Sequence, residues 1–153
     1  MKGMTVIVKT IASWVKVLII LFGIYIVLFG HLTPGGGFAG GVILASSYVM
    51  LMLAFGRDFV NKNLPLPLSS KLDCIGAILF LSIAVFGIVF GVGHYFFENF
   101  LIKYSHKFNL ISAGTIPLSN IAIGLKVGAS LYLVIFLLSA FRREDSDEQK
   151  ELK

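Results

Sequence analysis

A lysine inside an otherwise apolar stretch is the residue most suggestive of chemistry in this sequence. Lys126 is the only Asp, Glu, Lys or Arg between Leu118 and Phe141. Because burying a charge in lipid is costly, an ionisable group in such a stretch is a candidate for moving protons or sodium ions. A structural lysine, paired with a neighbour or extending its stem to the membrane surface, is the alternative interpretation. The sequence leaves both open.

Three other titratable side chains are the predicted partners of Lys126, and with it they form the candidate ion route. They are His31, His94 and Glu98, which lie toward the same end of the predicted spans. A histidine changes protonation near neutral pH, so His31 is a candidate proton relay, although a polar helix cap also explains it. Asp73 is predicted not to reach Lys126, because it lies at the opposite end of its span, where a helix start favours a carboxylate.

The segment 30–41 reads GHLTPGGGFAGG and holds one proline and six glycines. This composition predicts a tight corner between two helices, since glycine takes backbone angles closed to other residues. A closely packed helical hairpin and the lining of a hydrated ion route are both compatible with it. A phosphate loop is not favoured, because the string matches neither GxGxxG nor GxxxxGK[ST]. The predicted structural corner consists of Pro34, Gly35, Gly36, Gly37, Phe38, Gly40 and Gly41.

Hydropathy predicts the elements that position these residues. The chain of 153 residues is 57% hydrophobic and 14% charged, and it has no Asp, Glu, Lys or Arg from Val17 to Gly56. That run exceeds the roughly 20 residues needed to cross a hydrocarbon core, so it contains two spans. The predicted fold class is an all-α membrane protein with four transmembrane helices, at Ile11–Gly30, Phe38–Gly56, Leu72–Val92 and Leu118–Phe141.

Two polar segments join the later spans. Residues 57–71 contain Pro65 and Pro67 and are predicted to be an extended loop. Residues 93–117 carry aromatic side chains four positions apart, which favours either an interfacial amphipathic helix or an aromatic belt at the end of a long third helix. These aromatic residues are Phe96, Phe100 and Tyr104.

The distribution of basic residues predicts how the chain sits in the membrane. Residues 1–141 form a four-helix transmembrane domain as one compact unit, and residues 142–153 form a polar cytoplasmic tail, solvated or disordered. Basic residues concentrate on one side of the predicted spans, so both termini are expected to be cytoplasmic. On that side lie Lys2, Lys9, Arg57, Lys62, Lys71, Arg142 and Arg143, against Lys103 and Lys107 on the other.

The residue types also argue against several kinds of site. Cys74 is the single cysteine, and no pair of carboxylates falls within the predicted spans. A sodium site needs several oxygen ligands, so a complete one would draw on loop carbonyls or on other subunits. We therefore predict no catalytic residues, no cofactor and no metal site in this chain. The basic residues give no nucleic-acid footprint, because most of them lie at span ends.

The corner also carries a family resemblance. The string Gly30-His31-x-x-Pro34-Gly35-Gly36-Gly37-Phe38-x-Gly40-Gly41 resembles the signature of the MrpB/MnhB-type subunit of multisubunit sodium/proton antiporters. The resemblance implies a multi-pass subunit in the cell membrane of a bacterium or archaeon. Its expected partners are the lipid bilayer and other small and large antiporter-type subunits, with sodium ions and protons as the transported species. It implies no prosthetic group.

Three functions are compatible with the sequence. The first is a non-catalytic subunit of an antiporter module, which supports assembly and lines part of an ion route. The second is the same type of subunit in the membrane arm of a respiratory hydrogenase or sulfur reductase, since the same module recurs in such archaeal complexes. The third is an architectural four-helix spacer, whose glycines serve packing alone.

Overall fold

The computed structural model describes residues 4–91, 93, 95–101 and 113–151, the last ten of these by their backbone alone. Within these residues the chain is all-helical, and four of its helices are long and apolar enough to cross a membrane. The predicted fold class is therefore confirmed. The helices are α1 (Val6–Leu28), α2 (Gly36–Phe55), α3 (Arg57–Asn63), α4 (Leu66–Phe90) and α5 (Ile116–Glu151).

The segment predicted as an extended loop, residues 57–71, is largely helical, so that prediction is wrong. It forms the short helix α3 and the first turn of α4. Pro65 precedes α4 with φ −66° and ψ 146°, and Pro67 is the second residue of the helix. The first N–H groups of a helix have no partner within it, so a proline there loses no hydrogen bond. The third span consequently begins six residues before the predicted Leu72.

The four spans pack in the order α1, α2, α5, α4. Helix α1 lies on α2, α2 lies on α5, and α4 packs mainly against α5. The last span in the sequence is thus an inner helix of the array, and α4 is an outer one. Among the described helices α4 therefore has one main neighbour, α5.

One end of the array, which we call the termini end, has an aromatic and aliphatic core. The Tyr132 hydroxyl donates a hydrogen bond to the Leu64 carbonyl at 3.0 Å, and the Met4 N–H donates to the Ala54 carbonyl at 3.0 Å. The buried core residues at this end are Leu51, Met52, Val60, Tyr132 and Phe136. We call the opposite end, which holds the glycine-rich turn, the corner end.

Cations over aromatic rings mark the polar level at the termini end. The Arg57 guanidinium lies 4.3 Å from the centre of the Phe136 ring, and the Lys16 ammonium lies 5.6 Å from that of Tyr48. Trp14 is 75% exposed, as expected of an interfacial anchor. Four crossings return the chain to the end from which it started. That this end faces the cytoplasm stays a prediction.

Neither interpretation of the aromatic segment after the third span fits the described residues. Helix α4 ends at Phe90, so no long third helix reaches Phe96. Residues 95–101 form no helix, and Phe97 has a φ of 61°. The segment instead folds back along α4, where Phe97 lies 5.1 Å from Phe80 and Phe100 lies 6.2 Å from Phe86 between ring centres. In the described residues, the contacts of Phe97 and Phe100 with α4 are found where an amphipathic helix was one of the two predictions. Tyr104 lies outside the described residues.

The last helix extends into the polar tail. Helix α5 continues without interruption from the membrane span to Glu151. The described part of the tail is therefore a helical extension of the last span, and its solvated, cytoplasmic position stays a prediction. The backbone hydrogen bonds of the tail continue those of the apolar helix. Because that helix is already formed, the tail avoids the unfavourable nucleation step that an isolated polar helix would need.

Candidate functional site

The glycine-rich corner is a turn of seven residues between α1 and α2. The Phe29 carbonyl ends α1 and accepts hydrogen bonds from the Thr33 N–H at 3.0 Å and the Thr33 hydroxyl at 3.1 Å. Gly35 then takes a φ of 103° and Gly36 a φ of 53°, in the left-handed region that favours glycine. The chain therefore reverses direction tightly and starts α2 at once.

The first turn of α2 rests directly on the backbone of α5. A Cβ on Gly37 would lie 2.8 Å from the Cα of Asn120 and 2.9 Å from its carbonyl carbon, and closer still to its carbonyl oxygen. The Gly37 N–H donates to the Asn120 side-chain oxygen at 3.3 Å. Asn120 is 9% exposed, and its Nδ2 has no hydrogen-bond partner among the described residues. Asn120 thus closes the corner from the side of α5.

The remaining corner glycines serve the same packing. Gly40 faces Val27 of α1, and a Cβ on Gly41 would lie 2.8 Å from the Gly124 carbonyl oxygen of α5. The small residues of α2 and α5 therefore join helices of this chain. Phe38, the first large side chain after the corner glycines, is 63% exposed.

The second feature is an ion pair between α4 and α5, which we call the membrane ion pair. The Lys126 ammonium donates to a carboxylate oxygen of Asp73 at 2.8 Å. The prediction that Asp73 does not reach Lys126 is wrong, and the early start of α4 is the reason. Asp73 is the eighth residue of that helix and not its cap. It lies two turns inside the span, level with Lys126.

The depth of the membrane ion pair follows from the length of α5. Lys126 is ten residues before Phe136, whose ring carries the Arg57 guanidinium, and ten residues after Ile116, where α5 begins. Ten residues of helix rise about 15 Å. Tyr132, which contacts Tyr48 beneath the Lys16 ammonium, is nearer to Lys126, at six residues or about 9 Å, and Asp73 is seven residues or about 10 Å from the start of α4. The ion pair therefore lies inside the spans, toward the termini end.

The membrane ion pair lies on the surface of the helix array. The side chain of Lys126 is 46% exposed and that of Asp73 is 27% exposed. Beside them, Gly76 lets α4 approach α5 so closely that a Cβ there would lie 2.8 Å from the Lys126 backbone nitrogen. The backbones touch at Gly76 while the two charges remain at the edge of the seam.

The other predicted ion-route residues lie elsewhere. The Glu98 carboxylate accepts hydrogen bonds from the N–H groups of Gly93 at 2.8 Å and Tyr95 at 3.3 Å, beside Gly87 of α4. Gly87 is fourteen residues beyond Asp73 on the same helix, or about 21 Å. Glu98 is therefore not the partner of Lys126.

Of the two histidines, the structure describes His31, which lies away from the membrane ion pair. His31 lies in the corner turn after Gly30, which packs on Asn120. Asn120 is six residues from Lys126, or about 9 Å along α5. His94 lies outside the described residues. In the structure, the partner of Lys126 is Asp73 and neither Glu98 nor His31.

The described residues offer little else for binding an ion. Among them, no group of three or more His, Cys, Asp or Glu side chains is close enough to hold a metal. Cys74 is a free and exposed cysteine. The ion pair between two spans in the described part of the chain joins one carboxylate of α4 to one ammonium group of α5.

The roles of two residues of the candidate site, Asp73 and Asn120, escaped sequence reasoning, and each had a weak signal. Treating Pro67 as a first-turn residue would have moved the helix start and placed Asp73 inside the span. Asn120 is an amide in an otherwise apolar stretch, and such groups in membrane helices usually bond to another helix. Its contact with Gly37, 83 positions earlier, has no local signature.

Comparisons with known proteins point to one family. A family model described as a domain related to the MnhB subunit of Na⁺/H⁺ antiporter matches residues 7–133. A putative antiporter subunit mnhB2 of Staphylococcus haemolyticus is 30% identical over 139 residues, covering 91% of this chain and 97% of that protein. An uncharacterized protein of Methanocaldococcus jannaschii is 41% identical over 144 residues, covering 88% of this chain. The chain spans about half of that protein, 52% of its length.

A solved structure shares the fold. It is the membrane-bound sulfane sulfur reductase (MBS), described as an archaeal respiratory membrane complex. One of its chains matches with a TM-score of 0.72 at 27% sequence identity. The match covers 88% of this chain and 60% of that one.

Proposed function

Because the chain belongs to the family of MnhB-related subunits of Na⁺/H⁺ antiporters, we propose that it is a non-catalytic subunit of a multisubunit antiporter module in the cell membrane. Its role there is to support assembly and to form part of an ion route. Lipid and other antiporter-type subunits, small and large, are its partners. Sodium ions and protons are the transported species, and any prosthetic group or catalytic residue belongs to other subunits.

The membrane ion pair is the observation that carries the ion-route part of this proposal. A charge inside a span is rare and usually functional. The Asp73 carboxylate holds the Lys126 ammonium at 2.8 Å. A proton or sodium ion on Asp73 neutralises the carboxylate and weakens its hold on Lys126. The pair can therefore exchange its internal cation for a transported one. His31 and Glu98 are secondary candidates, at the corner end.

The test uses the intact complex in sealed vesicles, with sodium-dependent proton flux as the readout. Asp73→Asn and Lys126→Gln keep a hydrogen-bonding side chain at each position but remove its charge. We expect flux to fall roughly tenfold, as when a barrier rises by about 1.4 kcal/mol. Lys16→Gln is the matched control, because Lys16 lies at the termini end over the Tyr48 ring. Unchanged flux in both charge variants, with normal assembly, would remove the pair from the route.

The redox-driven alternative is favoured by the match to the sulfane sulfur reductase structure. In that case electron transfer in other subunits drives ions through the same module. The polypeptides that co-purify with the chain separate the two functions. Nickel–iron hydrogenase or sulfur reductase subunits in the purified complex would identify a redox arm, and their absence from an active complex would identify a free-standing antiporter.

The spacer alternative is favoured by the corner, where glycines of α2 pack on α1 and α5 of the same chain. Such packing needs no transported ion. The flux assay on the charge variants separates this function from an ion route. Antiport by this chain alone in liposomes would contradict all three functions, because each of them requires other subunits.

A further inference from the structure

Ser69 is a buried polar residue near the start of α4 whose hydroxyl the fold leaves without a partner. It is the fourth residue of the helix and is 0% exposed. Its hydroxyl oxygen makes no hydrogen bond with any of the described residues. Burying a hydroxyl without a hydrogen bond is costly, so such a group needs an explanation, and a bound ion or water is one.

Other serines in the described helices satisfy their hydroxyls within their own helix. Each donates to a backbone carbonyl three or four residues earlier, which is a common arrangement for a serine inside a helix. These serines are Ser13, Ser46, Ser47, Ser82, Ser119, Ser130 and Ser139. The hydroxyl of Ser69 is therefore an exception among them.

The start of α4 offers a reason for this exception. The carbonyl four residues before Ser69 is that of Pro65, which accepts the N–H groups of Leu68 at 2.9 Å and of Ser69 at 3.1 Å. A carbonyl oxygen has two lone pairs, and both of these are in use. The Ser69 hydroxyl thus finds this acceptor occupied and stays available to a ligand.

Helical periodicity places Ser69 on the side of α4 that faces α5. Gly76, seven residues later, lies on the same side, and a Cβ there would lie 2.8 Å from the Lys126 backbone nitrogen. Asp73 follows Ser69 by four residues, so the β-carbons of the two are about 5–6 Å apart. Ser69 therefore lies one turn from the membrane ion pair, toward the termini end.

Asp73 and Ser69 together provide a charged and a neutral oxygen one helical turn apart. One carboxylate oxygen of Asp73 accepts the Lys126 ammonium at 2.8 Å, and no described residue donates to the other. Hard cations bind oxygen ligands, and one carboxylate balances the charge of one sodium ion. The spacing of the two side chains leaves room for a single cation between their oxygens.

We propose that the Ser69 hydroxyl oxygen is a ligand of the sodium ion that replaces the Lys126 ammonium on Asp73. The ion bridges the two side chains of α4, with Asp73 balancing its charge and Ser69 supplying a second oxygen. Two protein oxygens bind a cation weakly, which suits a site that must also release it. The inference rests on the proposed function, because it assigns a ligand to the ion that the pair exchanges.

The test measures sodium-dependent proton flux by the intact complex in sealed vesicles over a range of sodium concentrations. Ser69→Ala removes the hydroxyl and leaves no buried polar group unpaired at this position, so the variant should fold. We expect the sodium concentration for half-maximal flux to rise roughly tenfold, with flux at saturating sodium close to that of the wild type. Ser70→Ala is the matched control, because Ser70 is exposed, and it should change neither quantity.

Ser69→Cys separates a ligand from a packing residue. It nearly keeps the shape of the side chain but replaces a hard oxygen by a soft sulfur, which is a poor ligand for a hard cation. We expect the same shift in the sodium concentration as with alanine. A shift in Ser69→Ala that Ser69→Cys restores to the wild-type value would make Ser69 a packing residue and overturn the inference.

Failure of this inference is distinct from failure of the proposed function. An unchanged half-maximal sodium concentration in both Ser69 variants would overturn the ligand role, as would a fall in maximal flux alone. If Asp73→Asn and Lys126→Gln reduce flux at the same time, the ion route itself stands. If those two charge variants leave flux unchanged as well, the ion-route part of the proposed function fails with it.

Discussion

The corner and the membrane ion pair lie on two sides of the same helix, and they differ in what completes them. At the corner, atoms of this chain fill the space beside each of Gly37, Gly40 and Gly41. At the ion pair, two charges stay exposed at the edge of the seam. The glycine motif, the most conspicuous string in the sequence, is used within the chain, whereas the carboxylate of Asp73 and the ammonium of Lys126 stay partly exposed. The four predictions below test this contrast, from the largest expected effect to the smallest.

Gly37→Ala should have the largest effect on folding. Its Cβ would overlap backbone atoms of Asn120, which cannot rotate away as a side chain would. We expect the free energy of unfolding in detergent to fall by about 3 kcal/mol. Gly128→Ala on the same seam is the control, because its Cβ would lie 3.4 Å from the Gly41 carbonyl oxygen, an ordinary contact. Equal effects of the two substitutions would contradict the close approach at the corner.

Asn120→Ala should be the next most costly change. It removes the oxygen that accepts the Gly37 N–H and leaves that buried donor without a partner. We expect a loss of about 1–2 kcal/mol in the free energy of unfolding. The neighbouring Ser119→Ala removes a hydroxyl that bonds only to the Thr115 carbonyl of its own helix and should change stability by a few tenths of a kcal/mol at most.

Tyr132→Phe tests the core at the termini end. The substitution keeps the ring in place and removes the hydrogen bond from the hydroxyl to the Leu64 carbonyl. We expect thermal unfolding to show a loss of about 1 kcal/mol. In Tyr48→Phe the edge contact to Tyr132 remains, at 5.9 Å between ring centres, so a smaller loss is expected. If both variants matched the wild type, the hydrogen bond to Leu64 would contribute nothing.

Lys126→Met should have the smallest effect on the isolated chain. The side chain is nearly half exposed, so its pairing with Asp73 is screened in detergent solution and contributes less than about 1 kcal/mol to folding. Thermal unfolding of the purified chain measures this term. In the intact complex, the same variant should reduce sodium-dependent proton flux. Gly37→Ala, by contrast, should already destabilise the isolated chain. A loss above about 2 kcal/mol in the isolated chain would make the pair a folding element.

Hydropathy was sufficient to predict the spans, because a long run of apolar residues in lipid is stable mainly as a membrane-spanning helix. The corner was visible for a similar reason, since adjacent glycines between two spans leave little but a turn. The start of α4 was missed because prolines usually interrupt helices, whereas Pro65 and Pro67 lie where a helix tolerates them. That error placed Asp73 at a helix cap and concealed the ion pair.

Contacts between distant residues were beyond sequence reasoning. Asn120 and Gly37 lie 83 positions apart, and Lys126 and Asp73 lie 53 apart. Helical periodicity describes one helix at a time and does not say which faces meet. The fold of residues 95–101 along α4 was missed likewise, because four-residue spacing of aromatics is also typical of a helix, and a positive φ at Phe97 breaks it.

The position of α5 between α2 and α4 has a consequence for biogenesis. Helices α1 and α2 form a hairpin, closed at one end by the corner and at the other by the hydrogen bond from Met4 to Ala54. Helix α4 has no such neighbour until α5 is made, because α5 is its main contact. During synthesis the hairpin of α1 and α2 can therefore pack before α5 is inserted, whereas α4 gains its main contact only when α5 follows it into the membrane.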